Sequence, residues 1–366
     1  MGFYLGLMSG TSMDAIDAVI VDFAVKPLRV VAASATAFDP VLGQRIAALI
    51  ESPESVALDE VGQIDVALAR AFAAAATDLM DRAGVTAADC SAIGSHGQTL
   101  RHRPDLPLPF TWQIGDPNTV AEMTGITVVA DFRRRDVAAG GQGAPLLPVF
   151  HDHVFRSTEE DRVIVNVGGI ANVTILTRGS TVTGFDTGPG NRLLDAWIAK
   201  HRGENYDEDG RWASTGRCDA ALLEELLDEP YFSIRPPKST GRELFNTGWL
   251  ENKLGLFDRR PQDVQATLLE FTAASIAAAV RQYAPAASLY VCGGGAHNPG
   301  LLGAIRRLVD PVPVSTTAVL GLDPDYVEAV AFAWFAERTL AGITSSAASV
   351  TGARGARILG GVYRSA

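Results

Sequence analysis

FYLGLMSGTSMDAIDAVIVDF, residues 3–23, is an apolar run, a tip of small and hydroxyl-bearing residues, and a second apolar run. RVIVNVGGIANVTILT, residues 162–177, repeats that order around Gly168-Gly169. Each reads as two antiparallel strands joined at a glycine-bearing tip, where backbone amides can reach an anion. A third tip, Cys292-Gly293-Gly294-Gly295, follows the apolar SLYV and leads into a helix instead. Strand–tip–strand order recurs without close sequence identity, which predicts a duplicated α/β fold. Two phosphate-gripping hairpins and a later glycine-lined turn imply a nucleotide held between two related halves. That arrangement points to a kinase or another ATP-using machine.

Bulk properties agree with two halves. A chain of 366 residues exceeds the usual size of one hydrophobic core. Its net charge of −11 argues against nucleic acid or an anionic membrane as partner. Cys90, Cys218 and Cys292 are scattered, with no CxxC spacing, so a disulfide framework is not expected and a reducing compartment is. No basic or apolar leader precedes Phe3, and the alanine-rich stretch Val66–Met80 is broken by Arg70, Thr77 and Asp78. The expectation is a cytoplasmic protein with no membrane span.

Periodicity predicts helices at residues 42–50, 61–83, 118–124, 222–227, 264–283 and 326–340, and strands ending near 93 and at 110–114 and 127–130. DFRRRDVAAGGQGAPLLP, residues 131–148, fits neither period and reads as a loop or crossover. GFDTGPGN, residues 184–191, reads as a rigid exposed turn feeding a helix.

Each tip has a functional and a plainer reading. Gly10, Thr11 and Ser12 supply an approachable backbone and hydroxyls for phosphate, and Asp14 or Asp17 suits a hydrated Mg²⁺. A polar hairpin turn needs the same residues. Gly293, Gly294 and Gly295 allow a flat base or ribose against bare backbone, or merely close packing. Asp186, framed by glycine and proline, suits a general base, or equally an N-cap or Asx-turn. Arg133, Arg134 and Arg135 suit a substrate carboxylate or a solvated face. The six histidines show no zinc spacing, so no tightly bound metal is expected.

Taken together, LGLMSGTSMDAIDA (5–18), IGSHGQTLRHRP (93–104), TWQIGDPNTVAEMTGITVVADFRRRDVAAGGQGAPLLPVFH (111–151), NVGGIANVTIL (166–176), GFDTGPGNRLLDAW (184–197), PKSTGRELFN (237–246), VCGGGAHNP (291–299) and EAVAFAWFA (328–336) carry a resemblance. In order and over nearly the whole chain, they resemble the anhydro-N-acetylmuramic acid kinase family, within the sugar kinase, Hsp70 and actin superfamily. One departure is Ala15, where the family more often has glycine.

The resemblance implies an α/β fold of two actin-like (ribonuclease H-like) domains, with mixed sheets flanked by helices around a central ATP cleft. Residues 1–133 with about 327–366 would form one domain and 134–326 the other. It implies ATP and Mg²⁺, with nucleotide contacts from Gly10, Thr11, Ser12, Met13, Asp14, Ala15, Ile16 and Asp17, from Gly168, Gly169 and Asn172, and from Gly293, Gly294, Gly295 and Asn298. Asp186 would be the catalytic base. Thr11, His96, Gln98, Arg134, Arg135 and Glu328 would meet the sugar. The implied reaction opens the 1,6-anhydro ring with water and phosphorylates O6, in peptidoglycan recycling. The expected partners are therefore small molecules, with a homodimer built on the long helices. A conventional sugar kinase acting on a free hydroxyl is the alternative, and an ATP-gated actin- or Hsp70-like protein is a more distant one.

Overall fold

The first hairpin forms as its alternation predicts. β1 (Phe3–Ser9) and β2 (Ala15–Asp22) run antiparallel, with Leu5 opposite Ile20 and Ser9 opposite Ile16. The computed structural model describes residues 2–10, 15–51, 56–255 and 259–365, so Thr11, Ser12, Met13 and Asp14 lie outside the described residues. Ala15 opens β2 opposite Ala37 in extended backbone, so no left-handed conformation is asked of it.

β3 (Arg29–Ala37) adds to β2. α1 (Pro40–Glu51) and α2 (Leu58–Ala83) lead to β4 (Cys90–Ser95), which lies parallel to β1. Along α2, Ile64, Leu68, Phe72, Ala76 and Leu79 recur at helical spacing and are buried. β5 (Gln98–Arg103) and β6 (Phe110–Ile114) form a separate hairpin. α3 (Pro117–Thr124) starts under an Asp116 cap, whose carboxylate accepts from Asn118 N and Thr119 N. β7 (Val128–Ala130) then pairs parallel with β4.

The expected loop at 131–148 is corrected in part. Residues Phe132–Ala138 form a short helix, α4, and a further helix, α5, spans Leu147–Phe155. Phe132, Asp136 and Val137 give α4 a buried face, which three consecutive arginines disguise in the sequence. Asp136 is fully buried but satisfied: Thr351 Oγ1 and Gly143 N each donate to it at 2.8 Å.

By internal contacts the chain forms two compact units, Met1–Leu146 with Tyr326–Ala366, and Leu147–Asp325. The first unit is completed by α11 (Val327–Leu340), α12 (Ala348–Thr351) and β13 (Gly361–Tyr363). Strand alternation sends Leu5 and Leu7 into the core beneath α2 and turns Gly6 to the opposite face, against α11. A Cβ on Gly6 would stand 1.8 Å from the Ala329 carbonyl oxygen, and one on Gly94 1.9 Å from that of Phe332. The AVAFAWFA pattern of α11 is the other half of this close approach.

The second unit repeats the scheme. β8 (Arg162–Val167), β9 (Ile170–Leu176) and β10 (Thr183–Pro189) form an antiparallel meander. α6 (Arg192–Arg202), α7 (Ala220–Leu227), α8 (Thr247–Leu254) and α9 (Pro261–Tyr283) follow. β11 (Ser288–Cys292) lies parallel to β8, and α10 (Pro299–Val309) connects it to β12 (Val314–Thr316). The sheet order β10-β9-β8-β11-β12 matches β3-β2-β1-β4-β7 of the first unit in sequence and sense, with β13 added to β7 there. The mixed, helix-flanked α/β architecture is therefore duplicated. Each unit has its own apolar core.

Candidate active site

In the second unit, cross-strand pairing sets Asn166 opposite Asn172 and Asn172 opposite Asp186. Residues directly opposite share a face, so three polar side chains form one row across β8, β9 and β10. Asp186 is not on an exposed turn as its glycines suggested. It lies in β10 at 5% exposure, just before a register shift between Asp186 and Gly188. Glycine and proline are tolerated here because β10 is the sheet's edge strand.

The capping reading of Asp186 is also set aside. Asn191 occupies the residue before α6, and the Asp186 carboxylate binds elsewhere. Thr240 N donates to Asp186 Oδ2 at 2.9 Å, and Tyr231 Oη donates to the Asp186 carbonyl at 2.6 Å. The buried Lys238 side chain lies in the same wall: its Nζ donates to the Tyr231 carbonyl at 3.1 Å. Burial, and secondarily the Asp186 charge, push the Tyr231 hydroxyl far above its ordinary value. Sequence reasoning missed Tyr231, Lys238 and Thr240, although PKSTGRELFN was visible as a motif.

The glycine tips gather at one edge of this sheet, beyond the carboxyl ends of β8 and β11. Gly190 N and Arg192 N donate to the Gly169 carbonyl, and Asn191 N to that of Gly168. A Cβ on Gly190 would sit 2.2 Å from the Gly168 oxygen. Gly293 has φ +77°, and its Cβ would meet Asn166 Oδ1 at 2.5 Å. Gly295 would collide with Val167, whereas Gly294 has only Asn191 Nδ2 within reach, at 3.7 Å. Close packing thus accounts for Gly293 and Gly295. Asn298 Oδ1 accepts from Leu301 N at 3.0 Å, capping α10.

Asn172 Oδ1 is buried and has no hydrogen-bond partner among the described residues. An orphaned amide oxygen beside a carboxylate suits a ligand that donates, such as water in the shell of a hard cation. Among the described residues no cluster of three or more His, Cys, Asp or Glu could hold a metal ion by itself.

In the first unit, a pocket at the ends of β4 and β6 is lined by His96, Trp112, Asp65, Asp116, Asp131 and Arg134, among others. His96 Nδ1–H donates to the Gly97 carbonyl at 2.9 Å, and Arg133 Nε donates to His96 Nε2 at 3.0 Å. Burial, then the Arg133 guanidinium, hold its proton affinity well below the usual histidine value, so the ring is neutral. Arg134 pairs with Asp131 at 3.2 Å on the pocket wall. Arg135 is exposed and outside the lining.

Gln98 is buried; Ser9 Oγ donates to its Oε1 at 2.7 Å, while its Nε2 has no partner among the described residues. Glu328 occupies the first turn of α11, Ile16 is a core side chain, Gly10 follows β1, and Asp17 lies within β2 opposite Met8. Sequence reading did not single out Asp65, Trp112, Asp116 or Asp131. The pocket draws them from α2, β6, the α3 cap and the β7 end, with no shared local motif.

A family model described as anhydro-N-acetylmuramic acid kinase matches residues 2–365. The protein of that name from Xanthomonas axonopodis pv. citri (strain 306) is 51% identical over 364 residues, covering 98% of this chain and 97% of its own length. Its namesake from Xylella fastidiosa (strain Temecula1 / ATCC 700964) is 49% identical, covering 98% and 96%. One from Shewanella sp. (strain ANA-3) is 48% identical, covering 99% and 98%. Among solved structures, component A of the (R)-2-hydroxyglutaryl-CoA dehydratase of Acidaminococcus fermentans aligns over 93% of this chain and 100% of its own, at 11% identity and a TM-score of 0.47.

Proposed function

The chain belongs to the anhydro-N-acetylmuramic acid kinase family, and we propose that Asp186 is the base of its reaction. The enzyme is a kinase of cell-wall recycling, acting on 1,6-anhydro-N-acetylmuramic acid with ATP as phosphoryl donor. One observation carries the assignment of the base. A carboxylate is buried in an edge strand, is held by an amide from a distant segment, and caps no helix.

The chemistry follows from the substrate. O6 of the anhydro sugar is tied to C1, so no free hydroxyl is available to accept a phosphoryl group. Asp186 takes a proton from water as that water's oxygen bonds to C1. The C1–O6 bond breaks, O6 bonds to the γ-phosphorus, and the bond from the γ-phosphorus to the β–γ bridging oxygen breaks. N-acetylmuramic acid 6-phosphate and ADP result, with the water's proton left on Asp186. General-base assistance of this kind contributes roughly 10²–10⁴-fold.

The remaining roles are binding and orientation. Gly168, Gly169 and Gly294 would present backbone to the nucleotide, with Gly293 and Gly295 shaping the turn, and residues 10–17 are a further candidate on their sequence. Asn172 would contact the hydration shell of Mg²⁺, which when bound neutralises phosphate charge. Gln98 Nε2, Arg134 and Glu328 would bind the sugar, with Thr11 and Arg135 as further candidates. Neutral His96 forms pocket wall and orients Arg133.

Release of ADP tests the reading. Purified protein should turn over ATP with the anhydro sugar and not with N-acetylmuramic acid. Equal turnover of both sugars would instead identify a conventional kinase acting on a free hydroxyl.

A further inference from the structure

The pocket of the first unit carries more negative charge than the acceptor sugar can answer. It lies where β4, β6 and β7 end, and its volume of about 140 Å³ is close to the ~150 Å³ that holds one benzene ring. Asp65, Asp116 and Asp131 line it, against one guanidinium, that of Arg134, and the neutral His96. Arg134 is already paired with Asp131 at 3.2 Å. Burial raises the Asp65 carboxyl above its ordinary value; the Gly115 amide, donating to its Oδ1 at 2.6 Å, opposes this, and the Asp116 and Asp131 charges add to it.

An acidic cluster makes no site by itself, but two polar atoms of the same wall lack partners. Ser95 is 1% exposed and lines the pocket, and its Oγ has no hydrogen-bond partner among the described residues. Gln113 donates through Nε2 to Thr99 Oγ1 at 3.1 Å and Thr111 Oγ1 at 2.8 Å, which leaves its buried Oε1 unmatched. An amide oxygen only accepts and a serine hydroxyl can accept, so the absent partner is a donor. Trp112 adds a part-exposed indole, whose face attracts a cation. A metal ion does not suit this set, because among the described residues no group of three or more His, Cys, Asp or Glu could hold one. The acceptor sugar does not suit it either: its nitrogen is an acetamide, and its lactyl group brings a further carboxylate.

We propose that this pocket binds a small organic ammonium ion, on a body no larger than one six-membered ring, as a second ligand distinct from the acceptor sugar. Its three N–H donors serve the Asp65 carboxylate, Gln113 Oε1 and Ser95 Oγ, and its charge offsets the surplus of carboxylates. The Trp112 indole packs on the ligand's body. The site is independent of the base assignment and stands whether or not Asp186 acts.

The test is calorimetric titration of the whole protein with glucosamine at about pH 6.5, below the ordinary range of an amine, beside N-acetylglucosamine, which is also ring-sized but has its amine masked. Glucosamine should bind and N-acetylglucosamine should not. Asp65→Asn, which keeps an oxygen for the Gly115 amide, should weaken glucosamine by about tenfold or more, and Ser95→Ala by about fivefold. Thermal unfolding checks that both variants are folded, and should Asp65→Asn fail to fold, Ser95→Ala carries the comparison alone. Saturating anhydro sugar should leave glucosamine bound. Equal binding of the two amino sugars would overturn the proposal in favour of a neutral sugar pocket. Displacement by the anhydro sugar would make the pocket part of the acceptor site. Displacement when potassium replaces sodium at constant ionic strength would make it an inorganic cation site. No heat from glucosamine at millimolar concentration, or affinity unchanged in a folded variant, would also overturn it.

Discussion

Asp186→Asn should lower turnover by about 10³-fold or more while the protein still folds and binds nucleotide. The expectation separates chemistry from architecture. Asparagine retains an oxygen that can accept the Thr240 amide, and the Tyr231 hydroxyl binds the backbone carbonyl rather than the side chain. The edge-strand packing therefore survives, and only proton acceptance is lost. Kinetics with saturating ATP and anhydro sugar, beside nucleotide titration, check both halves. Retained turnover would place the base elsewhere. Lost nucleotide binding would mean that residue 186 organises the site rather than serving the reaction.

The second large effect concerns α11, which carries Glu328 in its first turn. Gly6→Ala and Gly94→Ala should each destabilise the protein by at least about 3 kcal/mol. Their added Cβ atoms would meet helix carbonyl oxygens at 1.8 and 1.9 Å, and backbone cannot rotate away as a side-chain end can. The helix must lift, losing packing along Ala329 and Ala333. Gly62→Ala in α2 and Gly303→Ala in α10 are the controls, since nothing lies within 4 Å of a Cβ at either. Those two should be neutral or stabilising by up to about 1 kcal/mol, because alanine is the better helix former. Urea unfolding followed by tryptophan fluorescence distinguishes the outcomes. If Gly6→Ala unfolds no earlier than Gly62→Ala, the close-approach account is wrong.

How far the chain can be read without its structure varies by segment. The two hairpins were legible because apolar alternation brackets a glycine tip, and both observed strand pairs fall where that pattern places them. Long helices were legible too, with α2 and α9 containing the periodic stretches that announce them. Asp186 was found for its setting but given the wrong backbone. Four glycine or proline residues within 184–190 argue for a turn, and only pairing with β9 makes the segment a strand. The strand's edge position is a tertiary fact, invisible locally.

α4 was hidden for a similar reason. Arg133-Arg134-Arg135 suggests solvent, yet Phe132, Asp136 and Val137 bury one side of a single helical stretch. Asp136 is kept in the interior by Thr351, which lies 215 positions away. The Lys238 environment illustrates the limit most sharply. A lysine beside serine and threonine reads as surface, and nothing nearby in sequence announces that it will be buried with Tyr231 and Asp186.

Oxygen tracing reaches the centre of the account directly. Turnover of the anhydro sugar with ATP in H₂¹⁸O, quenched quickly and read by mass spectrometry, should put one heavy oxygen on the C1 hydroxyl and none in the phosphate ester. A product with unlabelled C1, or with label in the phosphate, would contradict water attack at the anomeric carbon.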